Sequence, residues 1–375
     1  MTDSARIARF LPVVILCAIG IAAAGLPFLH VAPNRLLSGV PQNPDPIALV
    51  VAWLLVAVAG CLRFRWLATA CTAAMVITLP WLAGHDATQL LEGASSTTRI
   101  QTGAGFWTMW LAALLLLLDR VRGLRIAWQA GIWAGVAFVL VLGGMAGAFD
   151  NVAVMREYHA QRGAFLDALQ THLVLSLITL ALALALGLPL GVWAWRAKRA
   201  GGMLLGVFSF FQTVPSLALF ALLIGPFAWL ARQWPALASL GFGGTGAAPA
   251  VFALVLYALL PVLRYTVTGL DAAPVDAREA ARGLGMSRWQ LLTRVQVPLG
   301  LPVLLAGLRI VAVQTVGLAA VASLIGAGGL GRFVFLGIGQ GATDMVLLGT
   351  LAIIALALAM DLLFQGLHAL AESRS

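Results

Sequence analysis

Residues 168–195 read ALQTHLVLSLITLALALALGLPLGVWAW, and none of them is Asp, Glu, Lys or Arg. A helix rises about 1.5 Å per residue, so a run of this length can cross the roughly 30 Å hydrocarbon core of a bilayer. In lipid an unclosed segment satisfies its own backbone polar groups only as a helix. This run therefore predicts a membrane-spanning helix.

The whole chain has the same apolar character. Of its 375 residues 61% are hydrophobic and 10% are charged, whereas about 25% are charged in an ordinary soluble domain. A soluble globule cannot hide so much apolar surface from water, which excludes a soluble enzyme, and the composition also excludes a disordered chain. We predict an all-α integral membrane protein. Its ten expected spans are residues 11–29, 46–62, 66–83, 105–118, 126–148, 168–195, 203–229, 248–269, 300–325 and 344–366.

The basic residues predict the orientation of these spans. With the N-terminus inside, 16 of the 23 Lys and Arg residues fall on the cytoplasmic side, six fall outside, and Arg309 lies within a span. Membrane proteins keep basic residues in their cytoplasmic loops, so both termini are predicted to be cytoplasmic. Residues 271–298 then form the largest cytoplasmic loop. The formal charge of +9 is explained by topology and gives no reason to expect a nucleic-acid partner.

A domain boundary is predicted at the polar outer segment 151–167. Residues 1–150 would form an N-terminal extension of about five transmembrane helices, and residues 168–370 a second bundle of five. Five is odd, so the two halves would have opposite topology, as in some ion-coupled secondary transporters. Such a transporter is one alternative, although the halves share no visible sequence similarity. It would need ion ligands at the midplane, and Asp344 and Asp361 both lie near span ends.

Recognisable catalytic chemistry is absent from the sequence. The single lysine, Lys198, follows no glycine-rich phosphate loop, and no two histidines form an HExxH pair. The segment Gly326-Ala-Gly-Gly-Leu-Gly331 fits GxGxxG, but a dinucleotide site needs a strand before it and a helix after it. We predict instead a close-packed turn in which glycine permits a positive φ. We expect no catalytic residue, cofactor or metal in this chain.

The largest cytoplasmic loop is unusually charged for this chain. We predict one helix over residues 277–284, ended by Gly285, and a second over residues 288–295, capped by Ser287 and ended before the next span by Pro298. Two short helices around a glycine turn would offer a compact surface to a soluble partner. The alternative is a solvated loop that only links two spans.

The same loop carries a motif spread over twenty positions. It reads Glu279-Ala280-Ala281, Gly285 and Val295-x-Val297-Pro298. This resembles the EAA loop of bacterial ABC importer permeases, whose pattern is EAA-x3-G-x9-I-x-L-P, with valine at both aliphatic positions. The resemblance implies a five-helix type I permease core and a loop that docks into a separate ATP-binding subunit. The residues it implies for coupling to the ATPase are Glu279, Ala280, Ala281, Gly285 and Pro298.

Further segments narrow the resemblance. Four segments resemble permeases of importers for glycine betaine, choline and related osmoprotectants. These segments are Gln212–Phe220, Ala306–Arg309, Val316–Ala319 and Leu324–Gly331. The resemblance implies inward transport across the bacterial inner membrane, with substrate delivered by a periplasmic substrate-binding protein. It also implies a second permease core, which is either another copy of this chain or a shorter relative. It assigns no role to residues 1–150.

Polar residues within the predicted spans are candidates for a translocation path or gate, because buried ionisable groups in membranes are expensive. Arg309 lies about nine residues into its span, and its long side chain can reach Asp361 in the next span. This pair is either structural or part of the path. Pro215 interrupts a span, and with Gln212 and Ser216 it either lines the path or only bends the helix.

Overall fold

The structure is a computed structural model. The residues it describes are 3–35, 37, 39–61, 64–236 and 241–372. The chain divides into two compact units. The first is Met1–Ala160 with Gln340–Met345, and the second is Gln161–Gly339 with Val346–Ser375.

The first unit combines helices with a small sheet. Its helices are α1 (Asp3–Ala23), α2 (Pro46–Cys61), α3 (Arg65–Leu91), α4 (Ala104–Val121), α5 (Ile126–Met145) and α6 (Ala153–Ala160). Its strands are β1 (Leu29–Ala32), β2 (Val40–Gln42) and β3 (Arg99–Thr102). The core lies among α1 to α4, where large apolar side chains such as Trp53, Phe28 and Met109 are fully buried.

The small sheet departs from the all-α prediction. Strand β1 lies in the middle and pairs antiparallel with both β2 and β3, so that Val31 is opposite Val40 on one side and Ile100 on the other. The strands have three or four residues each, which is too short to show an alternating pattern. Two helix ends also differ from the predicted spans: α1 ends at Ala23 rather than at residue 29, and α3 continues to Leu91 rather than ending at residue 83.

The second unit is helical over its described residues. Its helices are α7 (Arg162–Arg196), α8 (Lys198–Thr213), α9 (Ser216–Gln233), α10 (Ala247–Asp271), α11 (Val275–Gly283), α12 (Arg288–Leu291), α13 (Val297–Val321), α14 (Gly331–Gln340) and α15 (Thr343–Glu372). A π-helical turn, Leu292–Gln296, lies between α12 and α13, and a short 3₁₀ turn, Ala322–Ile325, follows α13. Helix α10 packs against α7, α8, α9 and α13, and it is the most buried span that the structure describes.

The predicted membrane-protein class is confirmed. Eight described helices are long and apolar enough to cross a membrane, and Phe10–Ala23 and Pro46–Cys61 are shorter apolar helices. Each of the ten predicted spans overlaps one of these ten helices. Many leucine, isoleucine and phenylalanine side chains on their outer faces are exposed, which suits a surface that meets lipid rather than water.

The predicted single helix over 203–229 is wrong. The structure has two helices there, α8 and α9, with a break at Val214 and Pro215. Proline has no backbone N–H, and its ring disfavours the helical conformation in the residue before it. Val214 is accordingly extended, with φ −72° and ψ 128°. The continuous apolar pattern on both sides hid this break from a reading of hydropathy alone.

Candidate functional site

The first helix of the EAA loop ends at a glycine turn, as predicted. The backbone N–H of Leu284 donates to Ala280 O at 3.0 Å, and that of Met286 donates to Ala281 O at 3.2 Å. Gly285 closes this turn with φ +76°, a conformation that glycine adopts without steric cost. The helix itself spans Val275–Gly283, slightly earlier than the sequence predicted.

The second helix begins at Ser287, also as predicted. Ser287 Oγ accepts a hydrogen bond from Gln290 N–H at 3.2 Å, and Gln290 Oε1 accepts one from Ser287 N–H at 2.8 Å. This reciprocal capping box satisfies two backbone donors that a helix start would otherwise leave unpaired. The two short helices of the loop are therefore fixed by local chemistry that the sequence already contained.

The predicted stop at Pro298 is wrong. The helix that starts at Arg288 runs through the π-helical turn into α13 without interruption, so Pro298 lies in the first turn of α13. Proline lacks an N–H and crowds the carbonyl four residues earlier, which here belongs to Arg294. A wider π turn is one of the local adjustments that accommodate proline in membrane helices.

The residues implied for coupling differ in exposure. Glu279 and Ala280 face outward, whereas the side chain of Ala281 is buried. Sequence reasoning missed three large apolar side chains of the loop that are more than half exposed. They are Leu284 at 80%, Trp289 at 66% and Val275 at 56%. The sequence did contain a signal for their exposure. They lie on short helices in a charged loop, where an apolar side chain has no hydrophobic core in which to be buried.

The first residue of the EAA loop is hydrogen-bonded to the neighbouring span α7. Trp195 Nε1–H, near the end of α7, donates to Asp271 Oδ1 at 2.8 Å, where α10 ends. The loop is thus fixed at its first residue by a hydrogen bond to α7, and it continues at its other end as the helix α13.

The break between α8 and α9 is held by α10. Gln212 Nε2 donates to the backbone oxygen of Tyr257 at 2.9 Å, and Tyr257 Oη donates to Val214 O at 2.5 Å. Pro215 caps α9 and is exposed, while Ser216 is its first residue and is half-buried. The structure therefore places Gln212 and the break at Pro215 next to Tyr257. The sequence did not single out Tyr257, because its contact with the break depends on how α10 packs against α8 and α9.

Arg309 and Asp361 lie in contact between α13 and α15. Arg309 donates through Nε to Asp361 Oδ1 and through Nη2 to Asp361 Oδ2, the latter at 2.8 Å. Gln365 Nε2 donates to the same Oδ2 at 2.9 Å. The side chains of Arg309 and Asp361 are 41% and 23% exposed, facing a groove of about 600 Å³ that is also lined by Gln314 and His368. The candidate path residues thus form two separate clusters.

The GxGxxG segment is a tight turn, as predicted. Gly326, Gly328 and Gly329 all have φ near +80°, and a Cβ on Gly329 would lie 3.1 Å from His172 Nδ1. His172 is fully buried, with its Nε2 3.0 Å from Val316 O. The glycines therefore let the turn pack closely against α7.

The loops and short elements of the first unit contain charged groups that lie outside its long apolar helices. Arg35 pairs with the buried Glu157 at 3.1 Å. Arg156 donates to Thr98 O at 2.7 Å, and its pKa lies below the usual value, first because of burial and second because of Arg99. Among the described residues, no group of three His, Cys, Asp or Glu side chains is placed to hold a metal ion.

Two family models match the chain. Residues 183–374 match the binding-protein-dependent transport system inner membrane component family, and residues 8–155 match the N-terminal domain of the ABC transporter permease YehY. The protein therefore belongs to the family of binding-protein-dependent transport system inner membrane components. It is a transmembrane permease of an ABC importer, and the alternative of an ion-coupled secondary transporter is wrong.

Three relatives illustrate the likeness within this family. The chain is 38% identical over 190 residues to a carnitine transport permease protein of Listeria monocytogenes, covering 51% of this chain and 80% of that one. It is 41% identical over 164 residues to an osmoprotectant import permease protein of Salmonella typhimurium, covering 44% and 71%. It is 34% identical over 199 residues to a glycine betaine/carnitine/choline transport system permease protein of Bacillus subtilis, covering 53% and 84%.

Proposed function

We propose that the importer moves glycine betaine or a related quaternary-ammonium osmoprotectant inward. One observation carries this proposal: the three relatives described above are named for carnitine, for osmoprotectants, and for glycine betaine, carnitine and choline. These compounds share a permanent positive charge on a small polar molecule. A periplasmic substrate-binding protein would deliver the substrate and set most of the specificity.

The EAA loop would connect the chain to a separate ATP-binding subunit. The exposed Leu284, Trp289 and Val275 support this role, because apolar side chains on a charged loop suit burial against a soluble protein. Glu279, Ala280, Ala281, Gly285 and Pro298 would position this surface. ATP would be hydrolysed in the partner, and the chain itself would carry no cofactor.

The complete importer would contain two permease cores, formed by two copies of this chain or by one copy with a shorter relative. Its location would be the bacterial inner membrane, with both termini in the cytoplasm as the basic residues predict. Gln212, Pro215 and Ser216 would border the path at the break between α8 and α9. Arg309 and Asp361 would form the second cluster, as a gate or a structural pair between α13 and α15.

Substrate competition tests this proposal. The chain is reconstituted in liposomes with its ATP-binding subunit and binding protein, and uptake of radiolabelled glycine betaine is measured with ATP inside. Excess choline, carnitine and proline betaine should each reduce uptake, whereas methionine should not. Uptake of methionine with no uptake of any quaternary ammonium compound would contradict the proposed substrate class.

A further inference from the structure

The first unit contains a short segment from near the end of the chain. Gln340–Met345 belongs to the same compact unit as Met1–Ala160, and α15, which starts within this segment, continues in the second unit. Ala342, Asp344 and Met345 are all buried, and Ala342 is 0% exposed. The connection between α14 and α15 is therefore packed into the protein and is not a solvated loop.

The backbone of this connection is fixed by two local features. Gly341 lies between α14 and α15 with φ +66°, a conformation that glycine adopts without steric cost. Asp344 Oδ1 then accepts a hydrogen bond from Met345 N–H at 3.0 Å, in the first turn of α15. Because Met345 is fixed in this turn, a contact made to Met345 acts on the start of the whole helix.

Arg35 contacts Met345 from the N-terminal part of the same unit. Its Nη2 donates to Met345 Sδ at 3.2 Å and lies 3.1 Å from Glu157 Oε1 on α6. The Glu157 side chain is buried, and a charge-assisted hydrogen bond of this kind is stronger than a neutral one. Since a thioether is only a weak acceptor, the ion pair positions the guanidinium and Met345 packs against it.

Both members of this ion pair are held by the segment that precedes β3. Thr97 Oγ1 donates to Pro33 O at 3.0 Å, two residues before Arg35. Arg156 lies on α6, the helix that carries the glutamate, and donates to Thr98 O at 2.7 Å. One short segment is thus bonded to both sides of the ion pair. Holding both charges in place reduces the side-chain entropy that an ion pair otherwise costs.

We propose that the N-terminal extension holds the start of α15 through Arg35 and in this way takes part in transport. Arg35 and Glu157 are positioning residues, which act on the connection between α14 and α15 and not on substrate. The inference rests on the proposed function, and it gives residues 1–150 a role. In the orientation predicted from the basic residues, this end of α15 lies outside, on the side from which a substrate-binding protein would deliver substrate.

Loss of the contact has a local consequence that can be measured. Removing the guanidinium takes away the cation beside the buried Glu157 carboxylate, and removal of one partner from a buried ion pair is strongly destabilising. The start of α15 would then separate from the extension, and Ala342 would become accessible to solvent. Exposure of Ala342, which is fully buried when the contact is intact, therefore reports on the contact.

Thiol labelling tests the contact directly. The full chain is made with its three native cysteines replaced by alanine and with Ala342→Cys as the reporter, and reaction with N-ethylmaleimide is followed in detergent. We expect slow labelling in this background, and labelling about tenfold faster when Arg35→Ala or Glu157→Gln opens the connection locally. Arg35→Lys keeps the positive charge and should preserve most of the protection.

Two controls separate a local effect from unfolding of the unit. Ala87→Cys, a fully buried reporter on α3, should stay unreactive when Arg35→Ala is added. Arg125→Ala removes an exposed arginine of the same unit and should leave Ala342→Cys protected. Unchanged labelling of Ala342→Cys in Arg35→Ala, or equal exposure of both reporters, would overturn the inference.

Uptake measurements test the role of the contact in transport. In proteoliposomes with the ATP-binding subunit and the binding protein, Arg35→Ala should lower glycine betaine uptake per ATP hydrolysed severalfold while hydrolysis continues. Arg35→Lys should restore most of this ratio, and Arg125→Ala should not change it. A normal ratio in Arg35→Ala would overturn the inference. Absence of ATP-dependent uptake in the unsubstituted protein would instead contradict the proposed function, and labelling of Ala342→Cys would still decide whether Arg35 holds the start of α15.

Discussion

Gly283 and Gly285 lie two residues apart at the end of α11, and each has open space where a side chain would begin. Only Gly285 has a positive φ, at +76°. An L-residue in the left-handed region costs roughly 1–2 kcal/mol. Gly285→Ala should therefore distort the EAA loop and lower glycine betaine uptake severalfold in proteoliposomes, whereas Gly283→Ala should transport normally. Equal activity in the two variants would show that the turn is not required for coupling.

Asp361 accepts two hydrogen bonds from Arg309 and one from Gln365. Asp361→Asn removes the negative charge opposite the Arg309 guanidinium within a span, and loss of one charge from an ion pair is destabilising. Because the pair is partly exposed, we expect a loss of about 1 kcal/mol, seen as a lower thermal unfolding temperature in detergent. The exchange Arg309→Asp/Asp361→Arg should recover most of it, and Gln365→Ala should change little. Equal destabilisation by Gln365→Ala would argue against a charge effect.

The break that Pro215 causes between α8 and α9 is held in place by Tyr257 of α10. Tyr257→Phe removes the hydroxyl that donates to the half-buried Val214 O, and a lost hydrogen bond of this kind costs about 1 kcal/mol. We expect the variant to insert and assemble but to transport glycine betaine more slowly, because the angle between α8 and α9 is less well fixed. Tyr265→Phe, on the same helix, is the control for loss of a hydroxyl. Normal uptake by Tyr257→Phe would show that the hydrogen bond at this break is not needed for transport.

Some helices, turns and strands could be predicted from the sequence, and others could not. The two helices of the EAA loop were predictable because Ser287, Gln290 and Gly285 act on their immediate neighbours. Pro215 also gave a local signal, but no charged residue interrupts the stretch 203–229, which is long enough to be predicted as a single span. The π turn before Pro298 has no comparable signal, since proline at that position also fits a helix start. Strand pairing of Leu29 with Thr102 joins residues far apart in the chain, which local patterns cannot predict.

For the whole molecule, the apolar runs and the asymmetry of the basic residues were sufficient to predict the class of protein, because the bilayer restricts what an apolar chain can form. The functional residues were harder to place. Arg309 and Asp361 were predictable as a pair, since two ionisable groups in neighbouring spans have few other partners. The contacts of Arg35 with Glu157 and Met345 join residues far apart in the chain, which the sequence does not state.

The orientation predicted from the basic residues is open to a direct check. In a cysteine-free background, Ser287→Cys in the EAA loop should react with a membrane-impermeant maleimide only after the membrane is opened. Ser95→Cys, in the segment expected to lie outside, should react in intact spheroplasts. Denatured samples of both variants give the control for total labelling. The reverse pattern would contradict cytoplasmic placement of the EAA loop and with it docking to an ATPase.

The central claim is that this chain imports an osmoprotectant with energy from ATP. The most direct measurement is uptake of radiolabelled glycine betaine into proteoliposomes that contain the chain, its ATP-binding subunit and its binding protein, without any ion gradient. We predict accumulation that requires both internal ATP and external binding protein. Uptake driven by a proton or sodium gradient in the absence of ATP would contradict the claim.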